Sequence, residues 1–276
     1  MTQAHSLFRY SSKIFNTPQF IIAEEFTPIL QYLSSRNLGE IEFSVVKDSA
    51  KPKKPEMVNK IGEIQVSGSL TYKPVMALCE ATGTSYTGLL QDVESLIADG
   101  VKTIIMTHNS GGGEASHMMT TAERIRELVD ENGVKLISYI DTISASASLG
   151  LGIVADEIII HPEARTGSVG ALIALVDRSK ALADAGIKPI YLSSVEGKVP
   201  FKSDGSFTDK FLAKMQKEVT DLGTKFAEHV SKYTGIPVVD IIALDAEVFN
   251  AQEALDIGLV NKIMNHQQFA EYLAKQ

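Results

Sequence analysis

VKTIIMTHNSGGGEAS, running from Val101 to Ser116, is an apolar run that ends in three consecutive glycines and leads into a helix-like segment. An apolar run bounded by a turn signal reads as a buried strand. Glycines between a strand and a helix leave backbone N–H groups uncovered and facing outward. Either they form a tight turn only, or they form an oxyanion hole that stabilises the charge of a tetrahedral intermediate. A phosphate loop does not fit, because SGGGEAS has neither the lysine nor the spacing of a Walker sequence. No G-x-G-x-x-G can be drawn through it either.

Outward from this stretch, strand-like runs alternate with amphipathic ones. The pattern predicts strands at Lys60–Val66, Lys102–Thr107, Lys135–Ile140, Glu157–Ile160 and Pro189–Leu192. It predicts helices at Ser85–Ala98, Glu114–Asn132, Ser146–Val154 and Asp177–Ala185, and a long one at Thr208–Tyr233 with Thr208 as N-cap. Such alternation implies an α/β fold with a parallel sheet and crossover helices. Upstream, a helix-like stretch spans Ala23–Leu38. VKDSAKPKKPEM, Val46 to Met57, carries two prolines and four lysines and reads as a solvated linker. The chain thus divides into an N-terminal arm or cap with linker, residues 1–57, and a main domain, residues 58–276.

With 276 residues, 44% of them hydrophobic, the chain can bury a sizeable core. A net charge of −8, with no basic stripe interleaved with aromatics, argues against nucleic acid as a partner. The single cysteine, Cys79, excludes an internal disulfide and suits a reducing compartment. The start MTQAHSLFRYSSKIF lacks the apolar centre of a signal peptide. No run reaches the roughly 18 apolar residues of a membrane span. The expectation is a cytoplasmic protein with no membrane partner. His108, Glu114 and His117 frame the glycines without the spacing of a zinc site, so no metal is expected.

A second stretch, DTISASASLGLGIVADEI from Asp141 to Ile158, runs through small residues that allow close backbone packing. Three serines alternate in it: Ser144, Ser146 and Ser148. A serine in a first helical turn sits beside the positive end of the helix. It still needs a base to become a nucleophile, and composition does not choose among the three.

Four motifs, NSGGGEAS, ISASASLGLGIVADEI, RTGSVGALI and FNAQEALDIGLVNKI, follow in that order between about Lys60 and Ile263. Together they resemble the signal peptide peptidase A family, serine peptidases on the Clp-protease/crotonase fold that use a Ser–Lys dyad. That fold is a stack of ββα units with a parallel-strand core and long outer helices. The opening RYSSKIFNTPQFIIAEEFTPILQYLSSR, Arg9 to Arg36, is similar to that of the phage branch, the capsid-assembly or head-maturation proteases.

The resemblance implies a site. The family nucleophile lies a fixed step before an Ala-Asp pair, here Ala155-Asp156, which selects Ser146. Ala147 would lend its N–H to an oxyanion hole beside Gly112 and Gly113. The register runs without a gap to Lys198, which makes that residue the base. An apolar surround such as Val199, Pro200 and Phe201 favours the neutral amine that a lysine base requires. Lys202 is an alternative base in a more polar loop. His161, in DEIIIHPEAR, is another, since histidine works near neutral pH unshifted. Ser168, in RTGSVG, would hydrogen-bond the lysine amine.

Three positions depart from the family pattern: Gly111 stands where proline is usual, Leu149-Gly150 replaces bulkier residues, and Asn261 replaces an aspartate. The resemblance further implies no cofactor and extended polypeptide substrates, namely phage scaffold and capsid proteins cut in the host cytoplasm or the assembling prohead. It also implies a homo-oligomer with sites shared across subunits. Two other functions are compatible with such a fold: a crotonase-type acyl-CoA enzyme and a catalytically inactive assembly scaffold.

Overall fold

A computed structural model of the chain describes residues 17–22, 56–58, 60–74 and 83–275. The helix expected at Ala23–Leu38 and most of the expected linker lie outside these residues. The last two linker residues do not. Glu56 and Met57 open strand β2 (Glu56–Val58), which pairs antiparallel with β3 (Ile61–Ser67).

β3 alternates in burial, with Ile64 and Val66 inward and Glu63 and Gln65 exposed, as a half-covered strand requires. Its parallel neighbour β4 (Thr103–Ser110) is buried along nearly its whole length, so it reads as a continuous apolar run. β6 (Lys135–Ala145) and β7 (Glu157–Ile160) continue the parallel sheet, and β10 (Lys262–Ile263) closes that edge. The order is β10-β7-β6-β4-β3-β2, with β8 (Arg165–Gly167) beside the far end of β6 and β9 (Val248–Asn250) antiparallel to β8.

The crossovers are helices: α1 (Tyr86–Ala98), α2 (Met118–Glu131) and α3 (Ala147–Gly152). α1 begins on Ser85, whose side chain accepts from the Gly88 N–H, and buries Tyr86, Leu89, Val93 and Leu96 at helical spacing. The α/β fold with a parallel-strand core is the expected one.

Two elements differ from expectation. The helix predicted from Glu114 starts only at Met118, because Glu114 belongs to a short strand, β5 (Gly112–Glu114), and His117 turns the chain at φ 67°. The apolar run Pro189–Leu192 forms no strand. It is largely exposed, with Leu192 at 93%, because it lies outside the core; within the chain Tyr191 stacks on Phe201, ring centroids 5.4 Å apart. It follows a short helix, α4 (Ser179–Asp184).

The long helix α5 (Asp209–Thr234) begins on Thr208, whose side chain accepts from the Phe211 N–H, and ends on Gly235 at φ 77°. Only its C-terminal half is buried, through Phe226, Ala227, His229 and Val230. Three short helices finish the chain: α6 (Val238–Ala243), α7 (Ala251–Asp256) and α8 (His266–Leu273). α8 is pinned by Glu157, which meets Lys135 at 2.9 Å, Lys262 at 2.8 Å and the Tyr272 hydroxyl at 2.6 Å.

Candidate active site

The register between β4 and β6 builds the site. His108 pairs with Ile140, but Asn109 pairs with Ile143 and Ser110 with Ser144, so β6 carries extra residues at a bulge. The glycines after β4 and Ser146 after β6 therefore leave the sheet from adjacent strand ends.

Ser146 sits between strand and helix at φ 53°, ψ −118°, a region that a residue with a side chain adopts only under constraint. Its N–H donates to the Gly167 carbonyl and its carbonyl accepts from the Gly150 N–H, both at 2.9 Å. Ser146 is 1% exposed, and its Oγ has no hydrogen-bond partner. A buried hydroxyl without a partner is a cost that folding usually avoids. Ala147 is the first residue of α3, so its N–H has no acceptor within that helix.

The glycine run is shaped by its neighbours. A Cβ at Gly113 would collide with the Leu70 carbonyl, and one at Gly112 (φ 109°) with the Phe20 carbonyl, so only glycine fits. The Gly112 N–H donates to Ser110 Oγ at 3.2 Å, and that hydroxyl donates to the Gly68 carbonyl at 2.6 Å. The other edge of β5 is occupied by β1 (Gln19–Ile21), antiparallel, with Phe20 opposite Gly113.

The two serines that flank Ser146 in sequence belong to a buried polar cluster that the sequence did not mark as such. His108 Nδ1 and Ser148 Oγ are 2.9 Å apart, and Ser148 Oγ is 3.1 Å from Ser144 Oγ. Burial holds the His108 imidazole down to about 3, so it is neutral. Ser144 and Ser148, the two serines not selected as nucleophile, thus serve as its hydrogen-bonded support. The signal available in the sequence was a lone histidine inside an otherwise apolar strand.

The candidate bases lie elsewhere. Lys198 is exposed on a short 3-10 turn, Glu196–Lys198, and its apolar neighbours in sequence do not enclose it. Lys202 is paired with Asp209 at 3.0 Å. The His161 ring lies against His266, centroids 4.7 Å apart, and its Nδ1 accepts from the Glu163 N–H. Ser168 is at φ 58°, directly after the Gly167 carbonyl that holds Ser146, and its N–H donates to the Glu247 carbonyl at 2.7 Å. None of these groups hydrogen-bonds Ser146 Oγ. Among the described residues, Ser146 Oγ and the N–H groups of Gly113 and Ala147 leave adjacent strand ends, and no titratable side chain hydrogen-bonds that hydroxyl. Of the departures from the family pattern, Asn261 still accepts from the Ile158 N–H at 2.7 Å, and Gly150 accommodates the Met118 side chain.

A family profile described as Peptidase family S49 matches residues 129–276, just over half of the chain. The capsid assembly protease C of Escherichia phage lambda is 27% identical over 212 residues, covering 76% of this chain and 48% of that protein. The head-tail preconnector protein GP5 of Enterobacteria phage P21 is 26% identical over 210 residues, covering 76% and 42%. A probable protease SohB of Haemophilus influenzae is 26% identical over 192 residues, covering 68% and 54%. The chain spans about half the length of these curated relatives.

Proposed function

The chain belongs to peptidase family S49, and on that premise we propose that it is a serine endopeptidase whose nucleophile is Ser146 and whose base is Lys198 of a neighbouring copy. The observation that carries the reading is Ser146 itself, a strained serine at a strand-to-helix turn with an unpartnered buried oxygen.

In the proposed reaction, Ser146 Oγ bonds to the scissile carbonyl carbon while its proton passes to the neutral Lys198 amine. The N–H groups of Gly113 and Ala147 receive the oxyanion, joined by that of Gly112 when it leaves Ser110 Oγ. Lys198 then returns the proton to the leaving amine. Water attacks the acyl-enzyme by the same proton route and frees Ser146. Ser168, beside the Gly167 carbonyl, is the group that would orient the lysine.

The shared dyad is supported by the surroundings of Lys198. Ile190 (79% exposed), Leu192 and Val195 form an exposed apolar segment beside it. Contiguous exposed apolar surface marks a protein contact. Packing against a second copy would remove Lys198 from water and favour the neutral amine. By analogy with the two phage relatives, the substrates are extended segments of phage scaffold and capsid proteins. The test is co-expression with candidate capsid and scaffold proteins, followed by intact-mass measurement. Discrete cleavage that Ser146→Ala abolishes supports the reading; cleavage that continues in Ser146→Ala sinks it.

A further inference from the structure

Ser146 has to reach a polypeptide, yet it is 1% exposed. Something must move before a substrate arrives, and the pairing of β1 points to what. Phe20 lies opposite Gly113. In the same register the Ile22 N–H donates to the Gly111 carbonyl at 3.0 Å. Antiparallel bonding alternates from residue to residue, so the N–H and carbonyl of Phe20 also face β5. Those of Gln19 face the other way and exchange two bonds with Leu172, at 2.8 and 3.0 Å. The Phe20 carbonyl therefore faces the Gly113 N–H that the proposed reaction assigns to the oxyanion. The strand is held along both edges by main-chain bonds, as an added peptide strand is held. The Phe20 ring fills an apolar site against Phe226, centroids 4.5 Å apart.

We infer that Pro18–Ile22 is an internal pseudo-substrate, which occupies the channel for extended polypeptide and is displaced when a substrate enters. The inference rests on the peptidase reading above. Exchange is feasible because an incoming extended segment re-forms the same main-chain bonds to Gly111, Gly113 and Leu172. The hydrogen bonds broken are replaced in kind. The segment that competes best carries a large apolar side chain where Phe20 now sits. The absence of a side chain at Gly112 has a reason in this picture, since a Cβ there would hold any strand away from β5.

The test locks the strand in place. Gln19 and Glu114 are directly opposed in a non-hydrogen-bonded pair, with Cα atoms about 4.5 Å apart in such pairs, within disulfide reach. Gln19→Cys/Glu114→Cys is made in a full-length Cys79→Ser background. Hydrolysis of unfolded β-casein is measured oxidised and reduced. The single Gln19→Cys variant in the same background has no partner to lock and is measured beside it.

The expected result is casein hydrolysis by the paired variant slowed by an order of magnitude or more on oxidation and recovered with dithiothreitol, with the single variant unchanged. Equal casein rates in both states overturn the inference, as does equal slowing of the single variant, which places the effect in oxidation and not in the lock. Should the paired variant not fold, Phe20→Ala decides: a lower KM for casein supports displacement, and an unchanged or higher KM contradicts it. An unmodified chain that does not hydrolyse casein removes the peptidase reading, whereas an active chain indifferent to the lock removes only the pseudo-substrate.

Discussion

His108 Nδ1 lies 2.9 Å from Ser148 Oγ inside the protein, joining β4, which leads into the glycines, to α3, whose first turn follows Ser146. The consequence is a pH-dependent stability. Burial lowers the folded pKa of His108 from 6.5 to about 3. Between those values the unfolded chain binds the additional proton, so the stability present above 6.5 is lost as pH falls toward 3. The loss is on the order of a few kcal/mol. Urea midpoints at pH 7 and pH 4.5 should fall further for the native chain than for His108→Asn. Equal falls would contradict the assignment. Glu157 has the same sign at lower pH: burial pushes its carboxyl up, but bonds from Lys262, Tyr272 and Lys135 hold it at about 2.

The three serines should separate when each becomes alanine. Ser146→Ala removes a hydroxyl without a partner, so thermal stability should hold or rise by up to about 1 kcal/mol while hydrolysis disappears. Ser148→Ala leaves His108 Nδ1 unpaired and should cost about 1–3 kcal/mol. Ser144→Ala should cost less, since it touches the cluster only through Ser148 among side chains. Both flanking variants should keep most activity once folded. Thermal melts and casein hydrolysis, run together, check the order.

Much of the fold was legible because burial wrote it into the pattern. Glu157–Ile160 forms a strand with the predicted bounds, and Thr208 caps the long helix as predicted. The misses share a cause. Pro189–Leu192 has the composition of a strand, but its apolar residues face outward, and sequence alone does not say whether an apolar run serves a core or a partner. Gln19–Ile21 is too short to show a period, and its pairing with β5 lies far away in sequence. The placement of Ser146 and the glycines after strands followed from their motifs; the bulge that aligns them did not, since a register slip leaves no compositional mark.

Glycine substitutions should sort by what they meet. Gly113→Ala drives a Cβ into the backbone carbonyl of Leu70, which cannot turn aside, and should cost at least about 2 kcal/mol along with activity. Gly150→Ala meets the flexible end of Met118 and should cost less. Differential scanning fluorimetry of the two purified variants gives the comparison, and an equal or reversed order would contradict the packing described at β5.

The base should distinguish the two lysines. Lys202→Ala breaks an exposed ion pair with Asp209 and should change stability by less than about 1 kcal/mol, with activity retained. Lys198→Ala should be inactive yet folded, because its side chain is exposed in the single chain. Casein hydrolysis by the two variants, beside their melting curves, reads this directly. Loss of activity in Lys202→Ala alone would move the role of base to Lys202.

The most direct test of a Ser146–Lys198 site built from two chains is complementation. Ser146→Ala and Lys198→Ala are each purified alone, then co-expressed and purified together with different tags. In a ring of randomly mixed subunits, about a quarter of the sites pair an intact Ser146 with an intact Lys198 from the neighbour. The account predicts two inactive parents and a mixed assembly that recovers hydrolysis on that scale. A mixed assembly that is confirmed by both tags and remains as inactive as its parents would contradict it.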